Sequence, residues 1–256
     1  MIEITSRDNP LLKSIRRLAQ DANAYRKQGQ IWLEGDHLCR AALSRGVRPQ
    51  QVVLTSGVWK SDPLAWRDVC DQVYVVSEDL FATLSGLESP AQMGFLLDYA
   101  SAPALQPASP TVVLDRVQDA GNVGSILRTA AAAGFTKVLT LSGCAHLWSS
   151  KVLRAGMGAH RLLDLYEGWS TQQALSAITA PMLAASANAE QDLYHLKNDL
   201  LHPVAWVMGS EGQGVSEDIL AQAKRVSIPI DPRIESLNVS TAAAICLFET
   251  MRVRRS

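Results

Sequence analysis

Three segments of the chain combine small residues with a few polar side chains that could bind a ligand or take part in catalysis. They are residues 113–135, 207–216 and 228–249. Their amide, carboxylate, hydroxyl and guanidinium groups can orient a ligand or stabilise a charge that develops during a reaction. Each segment begins at or near the end of a predicted strand. Ligands of parallel α/β sheets bind outside the carboxyl ends of the strands, so the three segments are candidates for one site.

The first segment places Asn122 between Gly121 and Gly124, where a predicted strand gives way to a helix. The glycine spacing is not that of a dinucleotide-binding motif. By residue type alone, Asn122 is more typical of a helix cap than of a ligand-binding residue. Arg128 lies three residues after Ser125, on the same face of a helix otherwise rich in apolar and small residues. It is either a surface residue or a planar group that binds phosphate.

The second segment, Gly209-Ser210-Glu211-Gly212-Gln213-Gly214, has more glycines than a plain turn needs. Glycines allow the backbone to approach a ligand closely. Glu211 is either a solvated loop residue or a functional carboxylate. With so many glycines around it, the two interpretations are about equally supported.

In the third segment Asn238 and Ser240 are residue types of a helix N-cap. They alternate with Leu237 and Val239, so they could also line a site with apolar and hydrogen-bonding groups. Three alanines, at 242–244, then allow another backbone to come close.

Composition limits the class of protein. A chain of 256 residues with 47% hydrophobic and 19% charged residues is folded, with two modest domains or one large one. A net charge of −1 means that nucleic acid would have to bind a local basic patch. The four cysteines form no CxxC pair, which argues against zinc and disulfides and fits a reducing cytoplasm. No apolar run approaches the roughly 18 residues of a membrane span.

Predicted strands and helices alternate along the whole chain, which indicates an α/β protein. Residues 1–99 form one small domain, the uncharged proline-containing stretch 100–110 a linker, and residues 111–256 a second domain with a parallel sheet. The predicted strands are 30–33, 51–54, 73–76, 93–98, 111–115, 137–141, 162–166, 182–185, 204–208 and 226–230. The predicted helices are 9–19, 36–44, 62–70, 78–84, 123–133, 150–156, 172–178, 217–223 and 241–252.

In this order and spacing, the three segments closely resemble the motifs of the SpoU/TrmH family, the RNA ribose 2′-O-methyltransferases of the SPOUT superfamily. The resemblance covers the whole second domain. The first motif matches residues 119–130, the second 208–214, and the third 228–229 with 236–240. Further similarities are the intervening helix of the family at 150–159 and its ribosomal-protein-like substrate-binding domain at Asn9-Pro10, Lys13, Arg26 and Glu34-Gly35.

The resemblance implies a SPOUT α/β domain with a deep C-terminal trefoil knot that holds S-adenosylmethionine, preceded by a small α/β domain that binds RNA. It also implies a homodimer associated through the knot region. The spacing of the cysteines and histidines predicts no metal site, and the cysteine usage predicts a cytoplasmic protein. Ile245, Leu247 and Phe248 are candidates for the dimer contact or for the core.

The resemblance also assigns roles to residues. Arg128 corresponds to the family's catalytic arginine, and we expect it to bind the adjacent phosphate and stabilise the developing alkoxide, since a guanidinium is a poor base. The implied catalytic residues are Arg128, Glu211, Asn238, Asn122 and Ser240. The implied cofactor-binding residues are Ala185, Gly209, Ile228, Leu237 and Asn238. The candidate RNA-binding residues are Lys13, Arg16, Arg17 and Arg26 in the first domain, with Lys151 and Arg154 grouped beside the knot.

The predicted function is methylation of a ribose 2′-hydroxyl in structured RNA, with ribosomal RNA preferred and transfer RNA as the alternative. A non-catalytic RNA-binding or ribosome-assembly factor on the same fold is the second alternative. The presence of every polar residue that the motifs require counts against it.

Overall fold

The computed structural model describes residues 1–86, 89–187 and 189–256, in which strands and helices alternate. The strands are β1 (Ile2–Glu3), β2 (Gln30–Glu34), β3 (Gln51–Thr55), β4 (Val73–Val76), β5 (Met93–Asp98), β6 (Thr111–Asp115), β7 (Lys137–Leu141), β8 (Asp164–Trp169), β9 (Met182–Ala185), β10 (Ala205–Gly209) and β11 (Lys224–Val226). The α-helices are α1 (Pro10–Gln20), α2 (Ala24–Gln28), α3 (Asp36–Ser44), α4 (Ser56–Ser61), α5 (Pro63–Val69), α6 (Glu78–Ala82), α7 (Ala120–Ala132), α8 (Ser150–Gly156), α9 (Thr171–Ala177), α10 (Lys197–Leu200), α11 (Glu217–Leu220) and α12 (Val239–Arg255). Two 3-10 helices span Ala159–Leu162 and Leu193–His195.

The chain divides into two compact units, and one helix departs from chain order. The first unit comprises Met1–Ala100 and Trp148–Gly158, and the second comprises Ser101–Leu147 and Ala159–Ser256. Helix α8 therefore belongs to the first unit, where Leu153 is buried in the core. The Ser150 hydroxyl also donates to the carbonyl of Ala19 at 3.0 Å. The sequence grouped this helix with the second domain, because chain position does not reveal where an apolar face packs.

The first unit is built on a five-stranded sheet with the order β1-β4-β3-β5-β2. Strand β5 is antiparallel to β2 and β3, whereas the other pairs are parallel. The helix predicted at 62–70 is α5, and a further short helix, α4, precedes it at Ser56–Ser61. Thr55 caps α4, and Asp62 caps α5, which begins at Pro63. Helix α4 was not predicted, because its short, mixed sequence has no apolar periodicity.

The second unit is a six-stranded, wholly parallel sheet with the order β11-β9-β10-β6-β7-β8. Every residue of β6 and β7 is buried, as expected for a parallel sheet covered on both faces. The order reverses between β6 and β10, because β7 and β8 lie on one side of β6 and the later strands on the other. At this switch point Asp115 pairs with Gly209, so both strands end at the same level. The α/β fold class is confirmed, and the trefoil knot stays a prediction.

Several predicted boundaries in the second unit were wrong. The strand predicted at 162–166 is β8, which starts later because Ala159–Leu162 forms a 3-10 helix. The strand predicted at 226–230 is β11, which spans Lys224–Val226 only, because Ser227 pairs with the loop residues Gln191 and Asp192 instead of with β9. Helix α12 begins two residues before the predicted start at 241 and continues to Arg255.

The predicted linker packs on the second unit. Ala102 and Leu105 contact its core. The Pro107 carbonyl accepts hydrogen bonds from the backbone N–H groups of Thr179 at 2.9 Å and Ala180 at 3.3 Å. The domain boundaries drawn from composition, at 99 and 111, stay a prediction.

Candidate active site

Four polar side chains from the three motifs form one hydrogen-bonded chain at the switch point, which we call the polar chain. Asn122 Nδ2 donates to the Glu211 carboxylate. Asn238 Nδ2 donates to Asn122 Oδ1 at 3.0 Å, and Asn238 Oδ1 accepts from the Ser240 hydroxyl at 2.7 Å. Asn122 thus bridges a loop that follows β10 and the start of α12. The fold brings together residues that are more than a hundred positions apart in the sequence.

Asn122 is free to make this bridge because another residue caps its helix. Asp119 is the N-cap of α7, and its carboxylate accepts the backbone N–H of Asn122 at 2.7 Å. The interpretation of Asn122 as a cap is therefore wrong. An aspartate three residues earlier satisfies the same need for an acceptor at the helix start.

Asn238 serves both local structure and the site. It is the N-cap of α12, and its Oδ1 accepts the backbone N–H groups of Ser240 at 2.9 Å and Thr241 at 3.4 Å. The expectation that Asn238 or Ser240 caps this helix is confirmed. Because the cap uses Oδ1, the Nδ2 group remains available to hold Asn122.

Next to the polar chain lies a pocket of about 360 Å³. Four of the five residues predicted to bind the cofactor line it, namely Ala185, Gly209, Ile228 and Leu237. The fifth, Asn238, lies between the lining residues Leu237 and Val239 but is not itself among the described residues of the lining. Lining residues that the sequence analysis did not single out as cofactor ligands include Ser186, Met208, Gln213, Glu217, Glu235 and Ala242. Most of them lie within or next to the motifs. They could therefore have been predicted by taking each whole motif segment, and not single residues, as part of the pocket.

Gly209 is required by the path of the chain. A Cβ atom at this position would lie 2.1 Å from the Gly214 carbonyl carbon and 2.2 Å from the Val215 nitrogen. Gly214 itself has a φ of 65°, in the left-handed region that favours glycine. The glycine loop, residues 209–214, thus folds back onto the end of β10. The close backbone contact explains Gly209, and the left-handed conformation explains Gly214.

The pocket suits a ligand with a flat apolar part and a positive charge. Ile228, Ile230 and Leu237 supply apolar surface that an adenine ring could occupy. The part of the lining that the structure describes contains the carboxylates of Glu211 and Glu235, with Glu217, and neither lysine nor arginine. Carboxylates favour a cation such as a sulfonium or an ammonium group. Size, apolar surface and charge therefore fit S-adenosylmethionine.

Comparisons with known proteins identify the family. Residues 109–248 match the model of the SpoU rRNA Methylase family, and residues 9–94 match the MRM3-like substrate binding domain. The chain belongs to the SpoU rRNA methylase family. An uncharacterized tRNA/rRNA methyltransferase of Synechocystis is 35% identical over 97% of this chain and 93% of its own length. The 23S rRNA (guanosine(2553)-2′-O)-methyltransferase RlmP of Bacillus subtilis is 28% identical over 97% of this chain and 98% of its own.

A solved structure from the same family shares the architecture. The AdoMet-bound rRNA methyltransferase from Sinorhizobium meliloti superposes with a TM-score of 0.83 at 27% sequence identity, covering 98% of this chain and 97% of that one. The likeness covers both units of this SpoU methylase.

Arg128 lies on α7 apart from the polar chain. It is exposed and lies six positions after Asn122, which corresponds to about 9 Å along a helix axis. Across the parts of the chain that the structure describes, no hydrogen bond or ion pair joins Arg128 to Glu211 or Asn238. The expected orientation of Arg128 by these two residues stays a prediction, and its guanidinium faces solvent where a phosphate could reach it.

The six candidate RNA-binding residues of this SpoU methylase all lie in its first unit. On α1, Lys13 pairs with Asp8 at 2.9 Å, and Arg16 donates to the backbone carbonyl of Arg7 and at 3.4 Å to the Thr83 hydroxyl. Arg17 is exposed.

The other three candidates lie on α2 and α8. Arg26 lies over the ring of Tyr25 at 5.6 Å. Lys151 is exposed and Arg154 half-buried. Because α8 belongs to the first unit, all six candidate residues lie in that unit, and their binding of RNA stays a prediction.

Two further observations concern metals and membranes. Within residues 1–86, 89–187 and 189–256, no group of three or more histidine, cysteine, aspartate or glutamate side chains is placed to hold a metal ion. Over the same residues no helix combines the length and the apolar character that crossing a membrane requires. The four cysteines are free thiols.

Proposed function

We propose that the protein transfers the methyl group of S-adenosylmethionine to a ribose 2′-hydroxyl of structured RNA, with ribosomal RNA as the substrate. One observation carries the proposal. The polar chain of Asn122, Glu211, Asn238 and Ser240 lies beside a pocket lined by the residues expected to bind the cofactor, and Glu211 belongs to both. A binding module would need no such convergence of three motifs on one pocket.

The residues that would hold S-adenosylmethionine are Ala185, Gly209, Ile228 and Leu237, with Asn238 next to Leu237 in the chain. When bound, this cofactor supplies a methyl group already activated by a sulfonium centre. Much of the remaining work is alignment, because an oriented hydroxyl reacts far faster than a freely diffusing one.

The chain's own residues would supply that alignment. Arg128 binds the phosphate next to the target ribose and stabilises the alkoxide as the hydroxyl proton leaves. Glu211, held by Asn122, lies at the pocket and orients the ribose. Asn238 fixes Asn122 and the start of α12 together, and Ser240 supports Asn238.

Ribosomal RNA is favoured over transfer RNA by two findings. The first unit matches a substrate-binding domain, and the Bacillus subtilis relative is named as an enzyme of 23S ribosomal RNA. Lys13, Arg17 and Lys151 of this unit present positive charge to a phosphate backbone.

We further propose that the protein is a homodimer, as the resemblance implies, and that it is cytoplasmic. Phe248 on α12 is 43% exposed, whereas Leu247 is fully buried and Ile245 half-buried. Of the three apolar residues named from the sequence, Leu247 is therefore core and Phe248 is the best candidate for a dimer contact. The free thiols are compatible with a reducing cytoplasm.

The function is tested by transfer of labelled methyl groups from S-adenosylmethionine into separate ribosomal and transfer RNA fractions, taken from cells that lack this gene. We expect label in ribosomal RNA. Arg128→Ala should abolish it, and Arg128→Lys should reduce it about tenfold or more, because lysine cannot bind phosphate with two parallel hydrogen bonds. Arg40→Ala, which removes an exposed arginine paired with Asp36, serves as the control.

The possible results separate the alternatives. Label in transfer RNA alone would change the substrate class but keep the chemistry. Full activity of Arg128→Lys would contradict the two-bond phosphate contact. A protein that neither transfers label nor binds S-adenosylmethionine would be the non-catalytic RNA-binding factor.

A further inference from the structure

Arg116 has a backbone conformation that is unusual for its residue type. Its φ is 57°, in the left-handed region, where a residue with a Cβ is disfavoured. It directly follows Asp115, the last residue of β6, at the switch point. Such a conformation persists only where the surroundings stabilise it, and it often accompanies a functional site.

The Arg116 side chain connects the end of β6 to the glycine loop. Its Nε donates to Asp115 Oδ1 at 2.9 Å, and one terminal nitrogen lies 3.4 Å from Asp115 Oδ2. The same nitrogen donates to the Gly214 carbonyl at 3.3 Å, and the other donates to Gln213 Oε1 at 2.6 Å. One guanidinium thus holds both the side chain and the backbone of the loop.

Asp115 gives this contact a rigid base. The residue is 1% exposed, and its Oδ2 also accepts the backbone N–H of Ser216 at 2.6 Å. The buried carboxylate therefore holds the arginine on one side and the residue after the loop on the other. A planar guanidinium with a fixed set of donors is suited to this arrangement, and a lysine is not.

The loop that Arg116 holds forms part of the pocket. Gln213 and Gly214 line the pocket, and so does Glu211 of the polar chain. Residues 211–214 are exposed, so their apolar packing is limited. Within the loop a backbone hydrogen bond joins Gly214 to Ser210 at 2.9 Å. A second bond runs from the Gln213 N–H to the Ser210 hydroxyl at 3.3 Å. Besides these two bonds and the contact of Glu211 with Asn122, the Arg116 side chain is a principal restraint on the loop.

We propose that Arg116 is a positioning residue that holds the glycine loop in the conformation that binds S-adenosylmethionine. The inference rests on the proposed function. Arg116 acts through Gln213 and Gly214 and touches neither the methyl group nor the RNA. Its left-handed backbone conformation directs the side chain back across the loop.

The alternative is an arginine that only stabilises the fold, and Arg116→Gly separates the two roles. Glycine adopts a positive φ readily, so this variant removes the side chain and relieves the backbone strain together. A structural role predicts a lower melting temperature with unchanged binding. A positioning role predicts weaker cofactor binding with a melting temperature that changes by only a few degrees.

The experiment is titration calorimetry of the full chain with S-adenosylmethionine, alongside thermal melting without ligand. We expect Arg116→Gly to weaken binding about tenfold, the scale of one lost charged hydrogen bond. Arg40→Ala should bind like the unaltered protein. Equal affinity of Arg116→Gly and the unaltered protein would overturn the inference. If the unaltered protein does not bind S-adenosylmethionine, the proposed function fails instead.

A double-mutant cycle tests whether the effect passes through Gln213. Gln213→Leu keeps most of the side chain's volume but cannot accept the bond from Arg116. We expect the double variant Arg116→Gly, Gln213→Leu to bind no more weakly than Arg116→Gly alone, because one interaction is lost only once. Fully additive losses would show that the two residues act independently and would contradict the proposal.

Discussion

At the scale of single residues, Asn122 is the side chain on which the polar chain depends. It donates to Glu211 through Nδ2 and accepts from Asn238 through Oδ1. Only a primary amide offers a donor and an acceptor at this distance from the backbone, and an aspartate of the same shape offers acceptors alone.

Asn122→Asp should therefore disable the site without unfolding the protein. The new carboxylate would face Glu211 and repel it, while the Asp119 cap of α7 would remain. We expect methyl transfer to fall about a hundredfold or more, the scale seen when a positioned polar group is lost from an active site. Circular dichroism and melting should show little change.

The matched control is Asn198→Asp, which adds the same charge at an exposed position of α10. It should leave methyl transfer unchanged. If Asn122→Asp retained normal rates, the polar chain would have no role in catalysis.

At the scale of elements, the glycine loop depends on one glycine more than on the others. A Cβ at Gly209 would overlap the backbone of Gly214 and Val215, whereas a Cβ at Gly212 meets nothing within 4 Å. The two positions lie in the same loop, so they form a matched pair of substitutions.

Gly209→Ala should displace the loop and abolish measurable binding of S-adenosylmethionine, with a drop in melting temperature, because backbone atoms cannot yield as a side chain does. Gly212→Ala should bind within about twofold of the unaltered protein, because its added methyl group meets no atom within 4 Å. A tenfold loss of affinity would correspond to about 1.4 kcal/mol. Calorimetry of both variants checks this. Equal binding by the two would show that the close contact of Gly209 is not essential.

A second prediction at this scale concerns the 3-10 helix Ala159–Leu162. His160 within it is 3% exposed, and its Nε2 lies 2.8 Å from the Leu147 carbonyl. Loss of hydration lowers the pKa of His160 from 6.5 to about 4. Between pH 6.5 and pH 4 the His160 side chain binds a proton in the unfolded chain but not in the folded chain. Acidification through this window therefore lowers the free energy of unfolding, by about 3 kcal/mol in all.

His160→Gln should make the protein less dependent on pH in this window. The change in melting temperature between pH 7 and pH 5 should be smaller than in the unaltered protein, although the variant is less stable at pH 7. His37→Gln, at an exposed position of α3, is the control and should leave the pH dependence unchanged. An identical pH dependence in His160→Gln would mean that another group causes the acid sensitivity.

At the scale of the whole molecule, the proposed dimer rests on the exposed part of α12. Light scattering should give twice the chain mass of 27.8 kDa. Phe248→Asp should shift the mass toward one chain, because a charge would be buried in the contact without a partner. Leu201→Asp, at an apolar residue of the same unit that is 50% exposed, should leave the mass unchanged. A single-chain mass for the unaltered protein would contradict the dimer.

How far the sequence predicts this molecule differs between its elements. Helix α3 and strands β4, β6 and β7 were predicted with their observed bounds, because each has a clear local pattern of apolar residues between turn residues. The predicted bounds of β8 and β11 were wrong, since a 3-10 helix precedes β8 and Ser227 leaves β11 to pair with a distant loop.

The sequence by itself determined the α/β class and the three motifs, and the family resemblance carried by those motifs implied the four residues that line the pocket. These depend on residue types and spacing, which are local properties of the chain. Only the tertiary structure decided that Asp119 caps α7 and leaves Asn122 to bridge Glu211 and Asn238. It also placed α8 in the first unit and joined Arg116 to Gln213. These contacts join distant parts of the chain, and their geometry depends on how the strands are ordered in the sheet.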